Sequence, residues 1–205
     1  MESLKFNNFD IKAVNTGVSI VKIDNEEVLR VVKSEKINKF DENTIAKITN
    51  INMRNGEIRL KMLSKLLENA PDFARGFIGI AFRVNEQSSK FESFYLRPTN
   101  GRHPDKLRRS HGCQYFSYPG YTFEYFREFN IPNTEAEADI GLNEWIDLKA
   151  VIYGEKASFF VNDFSKPVLE IKNLIHGAKA SGNLGLFVDI GTEGFFKDIE
   201  IKKYN

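Results

Sequence analysis

A single cysteine, Cys113, occurs among the 205 residues, so no internal disulfide can staple the chain and a cytoplasmic location is permitted. The opening MESLKFNNFDIK has no basic stretch leading into an apolar one and does not read as a secretory signal. The expectation is a cytoplasmic protein, or a secreted one if a leader has been trimmed. No apolar run approaches the roughly 20 residues a membrane-spanning helix needs. Net charge is also small, +1 from 29 Lys and Arg against 28 Asp and Glu. That balance excludes the broad basic surface that would draw nucleic acid or an anionic membrane, and neither is an expected partner. There are only three histidines, and no CxxC, HExxH or EF-hand spacing, so neither a metal site nor a cofactor is expected. Helix signals are sparse. Lys61–Pro71 has some helical character, yet it reads equally well as a strand running into a loop.

What the chain does have is period-two alternation. Val18–Lys33 reads as two strands around the polar turn Asp24–Glu27. Glu57–Leu63 follows the turn signal Asn55-Gly56, with Ile58, Leu60 and Met62 on one face. Gly76–Val84 places Ile78, Ile80, Phe82 and Val84 on one side and Phe77, Gly79, Ala81 and Arg83 on the other. Phe91–Pro98 opposes Glu92, Phe94 and Leu96 to Ser93, Tyr95 and Arg97. Trp145–Asn162 is a hairpin around Gly154-Glu155, and Asn183–Gly191 and Phe195–Lys203 are further strands. Many strands separated by turn signals, with no linker or repeat, predict an all-β protein. It should be one domain over residues 1–205, a two-sheet antiparallel sandwich completed by the strands of residues 1–40.

In their order, the segments GFIGIAFRV, FESFYLRPTNGR, LRRSHGCQYFSYPGY, NEWIDLKAVIYGEKASFFVND and GNLGLFVDIGTEGFFKDIEI resemble the concanavalin A-like lectin/glucanase jelly rolls. The likeness spans roughly Asp41 to Lys203 and is nearest the bacterial laminin G-like branch, beside the keto-disaccharide hydrolase domains. FYLRPTNGR and GTEGFF are its most specific pieces. The resemblance implies a jelly roll that binds carbohydrate across one sheet, and in some members cleaves it. It also admits a protein-interaction module of the laminin G-like type.

One stretch stands apart from the neutral whole. From Arg97 to His111 there are five Lys or Arg against one Asp, with two of the three histidines, His103 and His111. Face alternation places Arg83, Tyr95, Arg97, Gln114, Phe187 and Asp189 on the side of their strands turned away from the opposite sheet. Tyr95 and Phe187 could stack on a sugar ring, while the arginines, Gln114 and Asp189 hydrogen-bond its hydroxyls. Pro98 ends the strand, and Asn100 follows in the turn. Arg108, Arg109 and His111 then sit in a loop at the rim. Those ten residues form the candidate ligand site, and its basicity points to a small acidic or oxidised sugar. A glycosidase needs two carboxyls across the sugar, and the Glu-x-Asp-x-x-Glu pattern of the related glucanases is missing. His111 with Glu92, Asp189 or Glu124 is the remaining acid/base candidate set, so a glycoside hydrolase or keto-sugar lyase stays as the alternative. The alternating acids Glu135, Glu137 and Asp139 read first as a charged edge strand. Trp145 is expected to pack at the end of the sandwich. Arg97, off the core face, is expected to be replaceable without loss of folding.

Overall fold

A computed structural model describes residues 3–204. The first strands are β1 (Ser3–Phe6), β2 (Phe9–Val14), β3 (Thr16–Ile23), β4 (Glu26–Lys33), β5 (Ile45–Met53) and β6 (Asn55–Leu66). Next come β7 (Ile78–Val84), β8 (Phe91–Leu96), two short helices α1 (Pro98–Gly101) and α2 (Lys106–Arg109), β9 (Cys113–Tyr118), α3 (Phe123–Glu128) and β10 (Glu135–Ala136). The chain closes with β11 (Trp145–Tyr153), β12 (Lys156–Val161), β13 (Leu169–Ile171), β14 (Gly182–Val188) and β15 (Thr192–Tyr204). They form an eight-stranded sheet in the order β1-β2-β5-β14-β7-β8-β9-β10 and a seven-stranded sheet in the order β13-β12-β11-β6-β15-β4-β3. All named pairings are antiparallel.

The expected turns form where the sequence places them. Asp24 and Asn25, both at positive φ, link β3 to β4, and Gly154 at φ +59° links β11 to β12. Lys61–Leu66 is strand, not helix, because Met62 and Leu63 pair with Ile146 and Trp145 in β11. The inner faces meet through contacts such as Phe94 stacked on Phe159, with centroids 4.2 Å apart. The same parity turns Ser93 and Tyr95 to the outer face of the eight-stranded sheet. Gly79 lies opposite Tyr95, and a Cβ there would fall 2.8 Å from the tyrosine's own Cβ, so only glycine allows this approach. Trp145, the first residue of β11, packs with Val28, Leu63 and Phe195 in a separate cluster outside the seven-stranded sheet, and the Lys197 ammonium stands 4.6 Å from its ring centroid.

Candidate functional site

Four connections fold over the outer face of the eight-stranded sheet and enclose a cleft of about 380 Å³. The β4–β5 connection supplies Phe40, and the β6–β7 connection supplies Phe73, Arg75 and Phe77. The β8–β9 connection supplies Arg97, Asn100, Asp105, Leu107, Arg108 and His111, and α3 supplies Phe123 and Arg127. Phe40 holds the aromatic wall together, edge-on to Phe73 and Phe77 at 5.6 Å and to Phe123 at 5.9 Å. Below it lie Tyr95, Phe116 and Phe187, with Tyr95 6.0 Å from Phe77 and 5.5 Å from Phe187. The outer face is therefore a second packed layer, and the cleft opens above that layer instead of on the bare sheet.

The basic stretch reaches this cleft through Arg97. Its guanidinium donates to Glu135 Oε1 at 2.7 Å, to the Tyr95 hydroxyl at 2.8 Å and to Gln114 Oε1 at 3.1 Å. Arg127 grips the same carboxylate from outside, at 2.6 and 3.0 Å. Burial pushes the Glu135 carboxyl up, but the Arg127 and Arg97 guanidiniums outweigh it and hold the pKa below the usual value. His111 Nδ1 lies 3.0 Å from Glu135 Oε2 at an angle that makes no hydrogen bond, and burial keeps its imidazole pKa below the ordinary value. Arg108 donates to Asn100 Oδ1 at 2.9 Å and Thr99 Oγ1 at 3.2 Å, and its NH1 stands 3.2 Å from Nε2 of His103, whose Nδ1 accepts from the Asp105 amide. Arg75 donates through NH1 to the carbonyls of Asp72 and Ala74.

A buried polar chain runs beneath the wall. Asp41 Oδ2 accepts from the Phe123 backbone at 2.9 Å, and the Asp41 amide donates to Asp189 Oδ2 at 2.9 Å. Asp189 Oδ1 in turn pairs with the Lys33 ammonium. Asp41 Oδ1 is buried with no hydrogen-bond partner. Burial, reinforced by the Asp189 charge, pushes the Asp41 pKa up to about 7.

The structure sorts the sequence candidates into groups. Arg97, Asn100, Arg108 and His111 line the cleft together. Tyr95, Gln114, Phe187 and Asp189 lie on the expected side of the sheet but are buried beneath the cleft wall, so they support the cleft instead of facing its opening. Arg109 turns back to the carbonyls of His103 and Pro104, which fixes the loop. Arg83 is elsewhere. At φ +55° it sits where β14 slips register against β7, and its side chain leaves the alternation. It donates to the carbonyls of Arg54, Gly154 and Gly177. Glu92 accepts from the Tyr115 hydroxyl at 2.6 Å and the His176 amide at 2.7 Å, and is not near His111. The carboxylate beside His111 is Glu135. The alternating acids are not one strand, since β10 ends at Ala136, and Asp139 pairs with Arg102 on the surface.

Sequence reasoning missed Phe40, Phe73, Arg75, Phe123 and Arg127, all supplied by connections, and placed Phe77 on the outer face without including it in the site. One local signal was available: PDFARGF, Pro71–Phe77, sets an arginine between two aromatics just where the alternation of Gly76–Val84 begins.

No family model matches the chain, and no curated protein matches it. Solved structures do. The carbohydrate binding module CBM66 from Bacillus subtilis superposes with a TM-score of 0.57 at 9% identity, over 93% of this chain and 97% of that one. A galectin-like protein of unknown function from Bacillus subtilis gives 0.56 at 11% identity, over 92% of this chain and 87% of that one. A glycosyl hydrolase candidate from Parabacteroides distasonis gives 0.53 at 12%, over 95% and 88%. At such identities the likeness establishes the fold alone: a concanavalin A-like jelly-roll sandwich.

Proposed function

We propose that this protein is a carbohydrate-binding jelly roll whose cleft between Phe40, Phe73, Phe123 and the arginines takes a small acidic sugar. The observation that carries the reading is the combination of an aromatic wall with Arg75, Arg97, Arg108 and Arg127 around a volume of about 380 Å³. Ligand pockets start near 300 Å³, so one or two sugar rings fit this space. Aromatic faces suit the C–H side of a sugar, and guanidiniums suit carboxylate and hydroxyl groups. The fold shared with a carbohydrate-binding module is consistent with this use.

Binding is favoured over cleavage because the nearby carboxyls are committed elsewhere. Asp105 caps the Leu107 amide, Glu135 is held by two arginines, and Asp41 is buried below Phe40 and Phe123. Among the described residues that line or underlie the cleft, no carboxyl pair is left to flank a glycosidic bond across the roughly 5–9 Å that hydrolysis requires. The test is a glycan array followed by calorimetric titration of any hit with wild type and with Phe123→Ala and Phe73→Ala. Loss of binding in either variant at unchanged melting temperature supports the site. Binding unaffected by both variants places the ligand elsewhere and overturns the reading.

A further inference from the structure

The arginines of the cleft are not equivalent. Arg97 and Arg127 share Glu135, so their charge is answered within the protein. Arg75 and Arg108 have no carboxylate within salt-bridge distance among the described residues. Arg75 spends only NH1, on two carbonyls, which leaves Nε and NH2 without a protein acceptor. Arg108 spends Nε on Asn100 and one N–H of NH2 on Thr99, so NH1 and NH2 both keep N–H groups without a carboxylate partner. The two cations also oppose each other. Burial, then the charges of Arg108 and Arg97, lower the pKa of Arg75. Two guanidiniums facing one cleft with unspent donors are held together at an electrostatic cost that an anion would relieve. Beside them stand the most exposed apolar side chains of the cleft, Phe73 at 50% and Leu107 at 69%, which suit a ring or aglycone standing over the anion.

We infer that Arg75 and Arg108 are the receptor for the ligand's anionic group, a carboxylate, and that this pair, not Arg97, sets the preference for an acidic over a neutral sugar. The inference rests on the carbohydrate reading above. A planar carboxylate would take the two unspent edges, and Arg97 acts as a positioning residue that holds Glu135, Tyr95 and Gln114 in place.

The experiment compares oligogalacturonate and oligoglucuronate with their neutral galactose and glucose counterparts, by calorimetric titration at low and high salt. Wild type should bind the acidic series at least tenfold more tightly, with the advantage shrinking as salt rises. Arg75→Gln should remove that advantage and its salt dependence by weakening the acidic series at least tenfold more than the neutral series, at unchanged melting temperature. Arg108→Gln should do the same, and Arg75→Lys should restore part of the preference because charge returns without the planar fork. Equal binding of acidic and neutral sugars by wild type would sink the inference and spare the carbohydrate reading. An undiminished preference in both glutamine variants would also sink it. Binding of inorganic sulfate, displaced in Arg75→Gln, with no sugar bound would keep the anion receptor and overturn the carbohydrate reading instead.

Discussion

Arg83 lies near the end of β7 and Arg97 directly follows the adjacent antiparallel β8, and each is nearly buried, at 3% and 5% exposure. Their work differs completely. Arg83, beside the β7–β8 turn, meets only backbone carbonyls and ties together the β5–β6 turn, the β11–β12 turn and the loop at Gly177. Arg97, past the far end of the same strand pair, meets side chains, shares a carboxylate with Arg127 and forms part of the cleft wall. Antiparallel register alone separates them: Phe82 opposes Glu92 and Ile78 opposes Leu96, so one arginine stands at each end. Burial does not distinguish a structural cation from one built into a binding site. What each guanidinium ties together does: Arg83 joins carbonyls of three separate chain segments, whereas Arg97 joins side chains of the cleft wall and its floor.

Substitutions can break this contrast or sharpen it. The largest expected effect is that of Arg83→Ala. Removing the guanidinium leaves buried carbonyls at three chain segments without their donor, for an expected loss of about 3 kcal/mol or more in denaturant unfolding. Unfolding unchanged from wild type would show that water replaces the side chain and that this end is not the structural one. Arg97→Ala should cost less, about 2 kcal/mol, because Glu135 keeps Arg127, but it should also weaken any cleft ligand. At 5% exposure the Arg97 side chain is buried, so a stability cost is expected from a substitution that face alternation alone treats as harmless. Melting and titration of one preparation would separate the two effects.

A smaller and pH-dependent effect belongs to Asp41. Its pKa in the fold, about 7, lies above the ordinary 3.8. The stability contributed by the retained proton is therefore fully present below about pH 4 and is lost as pH rises through about 7. Asp41→Asn keeps an oxygen for the Phe123 amide but carries no proton to lose. The wild-type melting temperature should fall between pH 5 and 8 by more than that of the variant, and parallel curves would contradict the assignment. Arg75→Gln should have the smallest effect on folding, within about 0.5 kcal/mol, since its side chain bonds only to the carbonyls of Asp72 and Ala74 in its own loop.

The sandwich was legible because period-two alternation and turn residues such as Asp24-Asn25 and Gly154 act locally, and the structure honours them. The basic rim was legible too, since Arg97, Asn100, Arg108 and His111 belong to one connection. Arg83 was misplaced for a physical reason. Alternation assumes an unbroken pleat, and the register slip between β14 and β7 breaks it at that residue. The depth of Tyr95, Gln114, Phe187 and Asp189 was not legible, because it depends on Phe40, Phe77 and Phe123 arriving from connections far apart in sequence. Glu135 was hidden differently. Its alternation with Glu137 and Asp139 looked like one strand face, whereas only Glu135 is drawn in by two arginines.

Cys113 carries a consequence of another kind. It is fully buried in β9, between Leu96 of β8 and Ala136 of the two-residue β10, and burial pushes its thiol pKa up to about 12. In the closed fold it is shielded from alkylating reagents and almost devoid of thiolate. A reagent can reach it only when this edge opens, so the rate of labelling counts the openings of the segment that carries Glu135. If β10 peels away by itself, labelling outpaces global unfolding and its rate reports the local opening equilibrium. If the edge moves only with the whole sandwich, the two rates coincide. The chain's one cysteine is thus a built-in clock for the wall of its own cleft, with no label to be engineered in.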